Sequence, residues 1–246
     1  MICTVIFDLD GTLVETEELK ALSYARAAVE LCPELNEAEV EEAFKEVVGL
    51  SRPEVAMALL QRFGLEEAAR ARMEAFGVSE PWQAYVVVRQ RIYEAMLEDP
   101  ELLRKQRWPH NIALLHETRR LGYRVALATM SYHQQVKRVL EVLGLSEVFD
   151  FVAAREDVEQ GKSDPEIYLL VARVLGVSPK DCLVIEDSPA GVESALAAGM
   201  SVVGVSTPLT RKRLHASGLL PPELIVDDPS QLPQVVGQFL AHHRQE

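Results

Sequence analysis

Phe7-Asp8-Leu9-Asp10-Gly11-Thr12 closes an apolar run that begins at Cys3, and its reading governs the rest of the chain. Residues 3–7 are apolar or β-branched and predict a buried strand. No basic leader precedes them, so the N-terminus reads as this strand and not as a signal peptide. The strand ends in two carboxylates at i and i+2, which point to the same side of an extended chain. Two acids held together cost free energy unless a cation neutralises them or one keeps a proton. Either outcome is useful chemically. An ionised Asp8 can act as a nucleophile, and a protonated Asp10 can give a proton to a leaving oxygen and later take one from water. Gly11 lets backbone N–H groups approach an anion closely. Read alone, the hexapeptide also fits a strand ending in a solvated Asp turn.

Further apolar, β-branched runs recur at 124–128, 149–153, 182–185, 201–205 and 224–226. Between them lie helical patterns. Val136, Val139, Leu140 and Leu143 form an apolar stripe that Ser131 can cap and Gly144 can stop. Residues 166–175 predict a second helix ending at Gly176, and Ser188-Pro189 opens a third that ends at Gly199. Strand and helix in this alternation predict an α/β fold, a Rossmann-like parallel sheet with helices on both faces. Residues 16–100 differ. They are rich in Ala, Glu, Leu and Arg, predict helices at 37–48, 53–63 and 66–76, and carry Tyr85-Val86-Val87-Val88 inside a helical stretch. The organisation expected is a core of 1–15 plus 101–246 with a helical domain, 16–100, inserted after the first strand.

Three later segments repeat the layout of an apolar strand running into polar residues. In Ile185-Glu186-Asp187-Ser188-Pro189, paired acids precede a helix start; alone, this is also a helix cap. In a parallel sheet the carboxyl ends of the strands share one edge, so Asp8, Asp10, Glu186 and Asp187 can converge there. Four carboxylates without paired His or Cys call for a hard cation, Mg2+. Leu127-Ala128-Thr129-Met130-Ser131 offers hydroxyls and free N–H groups at a helix start, suited to phosphate oxygens. Lys162, in the loop Gln160-Gly161-Lys162-Ser163-Asp164-Pro165, supplies the cation that an aspartate attacking a phosphate dianion needs.

Composition bounds the partners. Of 246 residues, 38 are acidic and 25 basic, giving a formal charge of −13 that disfavours nucleic acid and anionic membranes. No apolar run reaches the roughly 18 residues of a membrane span. The scattered Cys3, Cys32 and Cys182 read as small buried hydrophobes in a reducing, cytoplasmic compartment. A monomer acting on a small phosphorylated metabolite is expected.

The four segments, in this order, resemble the haloacid-dehalogenase superfamily of phosphotransferases, in its helical-cap branch of β-phosphoglucomutase-like phosphatases. The resemblance implies that Asp8 becomes an aspartyl-phosphate and that Asp10 is the general acid/base, its backbone carbonyl a Mg2+ ligand. It further implies that Thr129 binds phosphate with Gly11, Met130 and Ser131, that Lys162 steadies nucleophile and phosphate, and that Asp187 binds the metal directly, with Glu186 direct or through water. In the cap, Gly49-Leu50-Ser51-Arg52 resembles a substrate-contacting loop, and Arg89 falls near a second cationic position; each arginine is alternatively a solvated surface residue. Lys20 stands where those relatives carry a histidine used in mutase chemistry, Glu15 where they carry Asp, and His110 where Gly commonly follows Pro109. These departures favour a phosphatase over a sugar phosphomutase. A phosphonoacetaldehyde hydrolase is disfavoured by Arg52 and Asp10, and a dehalogenase by the full carboxylate set. A non-catalytic binding module remains the alternative of a different class.

Overall fold

The computed structural model describes residues 1–48 and 50–243; Gly49, proposed above to line a substrate loop, lies outside the described residues. Strand β1 (Thr4–Phe7) leads into helices α1 (Thr16–Leu31), α2 (Glu37–Phe44), α3 (Arg52–Phe63), α4 (Glu66–Arg70), α5 (Met73–Phe76) and α6 (Pro81–Leu97). Then follow α7 (Pro100–Lys105), α8 (Pro109–Arg120), β2 (Arg124–Ala128), α9 (His133–Leu143), β3 (Phe151–Ala153) and α10 (Glu166–Leu175). The chain ends with β4 (Cys182–Glu186), α11 (Pro189–Ala197), β5 (Ser201–Val205), α12 (Arg211–Ala216), β6 (Ile225–Val226) and α13 (Leu232–His242).

The strands form one parallel sheet in the order β3-β2-β1-β4-β5-β6. Strand β1 lies in the middle because its four residues are all apolar or β-branched and all buried, with no face left for water. Phe7 pairs with Leu127 of β2 and with Ile185 of β4, so the carboxyl ends of these three strands are level. Strand order reverses between β1 and β4, which opens a crevice beyond their carboxyl ends. On one face Ile6, Ala126, Ala128 and Val184 pack against Ile167, Tyr168 and Val171 of α10 and Val192 and Ala195 of α11.

The chain divides into two compact units, Met1–Glu15 with Pro100–Glu246, and Thr16–Asp99. Pro100 thus starts α7 in the first unit, one residue earlier than the composition suggests. Among its described residues the regular elements of the second unit are all helices. In it Tyr24 meets Phe44 in a tilted ring contact and Tyr85 edge-on, and the Tyr85 hydroxyl donates to the Tyr24 carbonyl at 2.8 Å. Val86 and Val88 lie within α6, because the helical period of their neighbours outweighs a short β-branched run.

Four local expectations are corrected. Of the three cysteines expected to be buried, only Cys182 is; Cys3 is exposed and Cys32 half-buried. Helix α2 stops at Phe44, short of residue 48. The stretch 66–76 is two short helices, broken at Ala71 and Arg72. Tyr132 and not Ser131 caps α9; Gln135 Oε1 accepts from the Tyr132 N–H at 3.4 Å, which leaves the Ser131 hydroxyl for another partner. Among the described residues no helix is long and apolar enough to cross a membrane.

Candidate active site

The site is built from the first residues beyond β1, β2 and β4. Asp8 continues β1: its N–H donates to the Ile185 carbonyl at 3.0 Å, which fixes its backbone beside the end of β4. Its side chain is buried, and Oδ1 accepts from the Lys162 ammonium at 2.6 Å. Lys162 reaches in from the loop between β3 and α10 and uses all three of its donors. The other two go to the Ala128 carbonyl at 3.0 Å and to Glu186 Oε1 at 2.5 Å. One lysine therefore ties together the ends of three strands.

Glu186 is saturated with donors. Besides Lys162, Oε1 accepts from the Tyr168 hydroxyl at 3.1 Å. Oε2 accepts from the Asp187 N–H at 2.9 Å and from the N–H and hydroxyl of Ser188, both at 3.0 Å. These last donors belong to the start of α11, where unpaired N–H groups and the helix dipole favour an anion. Ser188 in turn caps α11 by accepting from the Gly191 N–H at 3.1 Å. A Cβ at Gly191 would stand 1.8 Å from Glu186 Oε1, so only glycine permits this carboxylate to lie where it does.

Asp187 is buried against the loop after β1. A Cβ at Gly11 would lie 2.2 Å from Asp187 Oδ2, and Gly11 has φ +81°. The N–H of Gly11, expected above to face phosphate, is donated to the Val14 carbonyl at 2.7 Å. Close approach of Asp187 together with a left-handed backbone accounts for this glycine. Oxygens of Asp8, Glu186 and Asp187 lie within 4.8 Å of one another, the group among the described residues suited to hold a metal ion. The Asp10 carboxylate turns instead to the β2 end. Its Oδ2 accepts from the Ser131 hydroxyl at 2.6 Å and the Thr129 hydroxyl at 3.3 Å. Thr129 Oγ1 also accepts from the Ser131 N–H at 3.1 Å, and a Cβ at Gly161 in the lysine loop would lie 3.7 Å from the Met130 sulfur.

Electrostatics favour an added cation. Burial, then the carboxylates of Glu186 and Asp10, pushes the Asp8 carboxyl up to about 8 against the pull of Lys162. Burial by itself draws the Lys162 ammonium down, but Asp8 and Glu186 outweigh it and hold the lysine protonated well above its ordinary range. One ammonium thus faces an excess of buried carboxylate. An oxygen-only donor set with surplus negative charge fits a hard divalent ion such as Mg2+.

The cationic residues of the helical unit form a separate group. Arg89 is 4% exposed, so the alternative of a solvated surface arginine does not hold for it. Its Nε donates to Ser23 Oγ at 2.8 Å, and its guanidinium lies 4.3 Å from the Tyr93 ring centroid and 5.0 Å from that of Tyr24. Cation–π contact compensates the burial. Lys20 pairs with Glu17 at 2.6 Å, and Arg52 is the first residue of α3. Arg89, Arg52 and Lys20 all act electrostatically on the Tyr24 phenol.

Sequence reasoning missed Tyr168 and Gly191. A tyrosine on the apolar face of a helix carries one usable signal, because a buried phenol needs a hydrogen-bond partner. Gly191 carries none, because its role is clearance for a side chain five residues earlier.

A parallel α/β sheet with a buried carboxylate trio and one lysine at its carboxyl edge defines the class of the protein. The chain belongs to the haloacid dehalogenase-like hydrolase family, whose model matches residues 2–199. It is 31% identical to a phosphorylated carbohydrates phosphatase of Thermotoga maritima over 80% of this chain and 81% of that protein. It is 29% identical to a beta-phosphoglucomutase of Bacillus subtilis over 82% of each. Hexitol phosphatase A of Escherichia coli is 39% identical over 46% of this chain, and the match spans only 51% of that enzyme. In fold, the chain superimposes on a beta-phosphoglucomutase from Clostridium difficile with a TM-score of 0.69, at 23% identity over 98% of this chain and all of that one.

Proposed function

We propose that the protein is a Mg2+-dependent phosphatase of a small phosphorylated metabolite, a sugar phosphate, and that it works through an aspartyl-phosphate on Asp8. The observation that carries this reading is the Lys162 ammonium bonded to both Asp8 and Glu186, beside three clustered carboxylates and the Thr129–Asp10–Ser131 contacts. Asp8, Asp187 and the Asp10 carbonyl would hold Mg2+, with Glu186 beside them; the ion supplies positive charge that offsets repulsion between a carboxylate and a phosphate dianion.

An Asp8 oxygen forms a bond to phosphorus as the bond from phosphorus to the leaving alcohol oxygen breaks. Asp10 gives that oxygen a proton, and Lys162 and the Thr129 hydroxyl steady the transferred oxygens. Water then attacks the phosphorus, Asp10 takes its proton, and the Asp8–phosphorus bond breaks to release inorganic phosphate. Arg52, Arg89 and Lys20 would read the rest of the substrate, as cations suited to its anionic or hydroxylated end.

A phosphomutase is the second reading, favoured by the Bacillus relative. The test is phosphate release across a panel of sugar phosphates with Mg2+, for wild type and Asp8→Asn. A phosphatase liberates phosphate in step with substrate loss, whereas a mutase conserves ester phosphate. Equal, measurable rates for the two proteins would refute both readings, and no turnover by wild type on any substrate would favour a non-catalytic module.

A further inference from the structure

The geometry points to Tyr168 as a positioning residue of the reacting centre: its hydroxyl holds Glu186, and through Glu186 the Lys162 ammonium, where the lysine meets Asp8. The inference rests on the phosphoryl-transfer reading given above and adds a residue to it.

Lys162 is shared between two carboxylates at nearly equal distances, 2.6 Å to Asp8 Oδ1 and 2.5 Å to Glu186 Oε1. Where the ammonium rests between them depends on how firmly Glu186 is itself held. From the α11 side Glu186 Oε2 has three donors, but among the described residues Oε1 has only Lys162 and the Tyr168 hydroxyl at 3.1 Å. Tyr168 is fully buried, so removing its hydroxyl leaves Oε1 with Lys162 as its single donor. The carboxylate then takes a larger share of the ammonium, and Asp8 a smaller one. The ring contributes separately, with Lys162 Nζ 5.2 Å from its centroid.

Core packing explains the ring and not the hydroxyl. Tyr168 packs among Ile6, Ala126 and Val184, where a phenylalanine would fill the same volume without a polar group to satisfy. The hydroxyl is therefore accounted for by Glu186 together with the Lys162 ammonium, which also acts on it.

The test is Tyr168→Phe, which keeps the ring and its volume. Steady-state hydrolysis of a generic phosphate ester with Mg2+ should show kcat lower by about tenfold, the order of one hydrogen bond to a charged group, with KM changed less than about twofold. A second readout needs no turnover. In protein labelled with 15N-lysine, the held Lys162 ammonium gives a slowly exchanging signal, identified by its loss in Lys162→Arg. Tyr168→Phe should shift or broaden it. An unchanged kcat overturns the inference, whether or not melting temperature falls, and so does an unchanged ammonium signal. Should Asp8→Asn match wild type in hydrolysis, the phosphatase reading falls, and the ammonium signal still decides whether Tyr168 holds the lysine.

Discussion

Replacing Gly191 with alanine sets two effects of opposite sign against each other. Gly191 lies inside α11, where alanine is favoured over glycine by about 1 kcal/mol. The added Cβ would stand 1.8 Å from Glu186 Oε1, 2.0 Å from Cδ and 2.4 Å from Oε2. No rotation of the methyl relieves this, so the carboxylate must leave its place. It holds five hydrogen bonds there, from Lys162, Tyr168, Asp187 N–H and both donors of Ser188. Losing only two of them costs about 3 kcal/mol or more, since bonds to charged groups are worth roughly 1.5–3 kcal/mol each. The clash therefore outweighs the helix preference, and Gly191→Ala should lose about 2 kcal/mol or more in urea denaturation. Phosphate release should fall about a hundredfold, as expected when a catalytic contact is displaced by about an ångström. Gly237→Ala in α13 is the control: nothing lies within 4 Å of the new methyl, so it should gain about 0.5–1 kcal/mol. If Gly191→Ala is as stable and as active as wild type, the positioning of Glu186 argued here is wrong.

Two further predictions follow the same geometry. Gly11→Ala combines a left-handed backbone with a Cβ 2.2 Å from Asp187 Oδ2, so it should weaken Mg2+ activation about tenfold or more, whereas unchanged half-saturation by Mg2+ would contradict the placement of Asp187. The raised Asp8 carboxyl sets a pH dependence: its folded value of about 8 exceeds the unfolded 3.8, so its stabilising contribution is full below about pH 4 and is lost as pH rises through about 8. Lys162 is raised as well, but its contribution changes only above its ordinary 10.5 and stays flat in this window. Calorimetry in chelator should show wild type losing more melting temperature than Asp8→Asn over that range, with Mg2+ restoring most at the alkaline end. Parallel pH curves for the two proteins would refute the assignment.

Much of the sheet was legible because the strands are short, mostly apolar or β-branched runs that give way abruptly to polar residues, as at Phe7-Asp8, Ala128-Thr129 and Ile185-Glu186. Parallel pairing then levels those stops, and residues far apart in sequence meet. Contacts decided by three-dimensional clearance left no such mark. Arg89 reads either as a substrate-contacting cation or as a solvated helix residue, and nothing in the sequence marks that Tyr24 and Tyr93 enclose it. Ser131 reads as a helix cap, but the Asp10 carboxylate offers its hydroxyl a charged acceptor, and a charge-assisted bond wins over a neutral cap. Gly11 reads as a residue that lets backbone N–H groups approach an anion, and Gly191 falls unmarked in a helical stretch; their reason lies in the carboxylates of Asp187 and Glu186 pressed against them.

The most direct measurement asks where phosphorus goes. Protein mixed with a sugar phosphate and Mg2+, quenched in acid within a turnover and reduced with borohydride, converts any acyl phosphate to an alcohol that peptide mass spectrometry locates. Homoserine in place of Asp8, absent when Mg2+ or substrate is withheld, is the predicted result. Sustained phosphate release with Asp8 unreduced, or with the reduced residue at another position, would contradict the account.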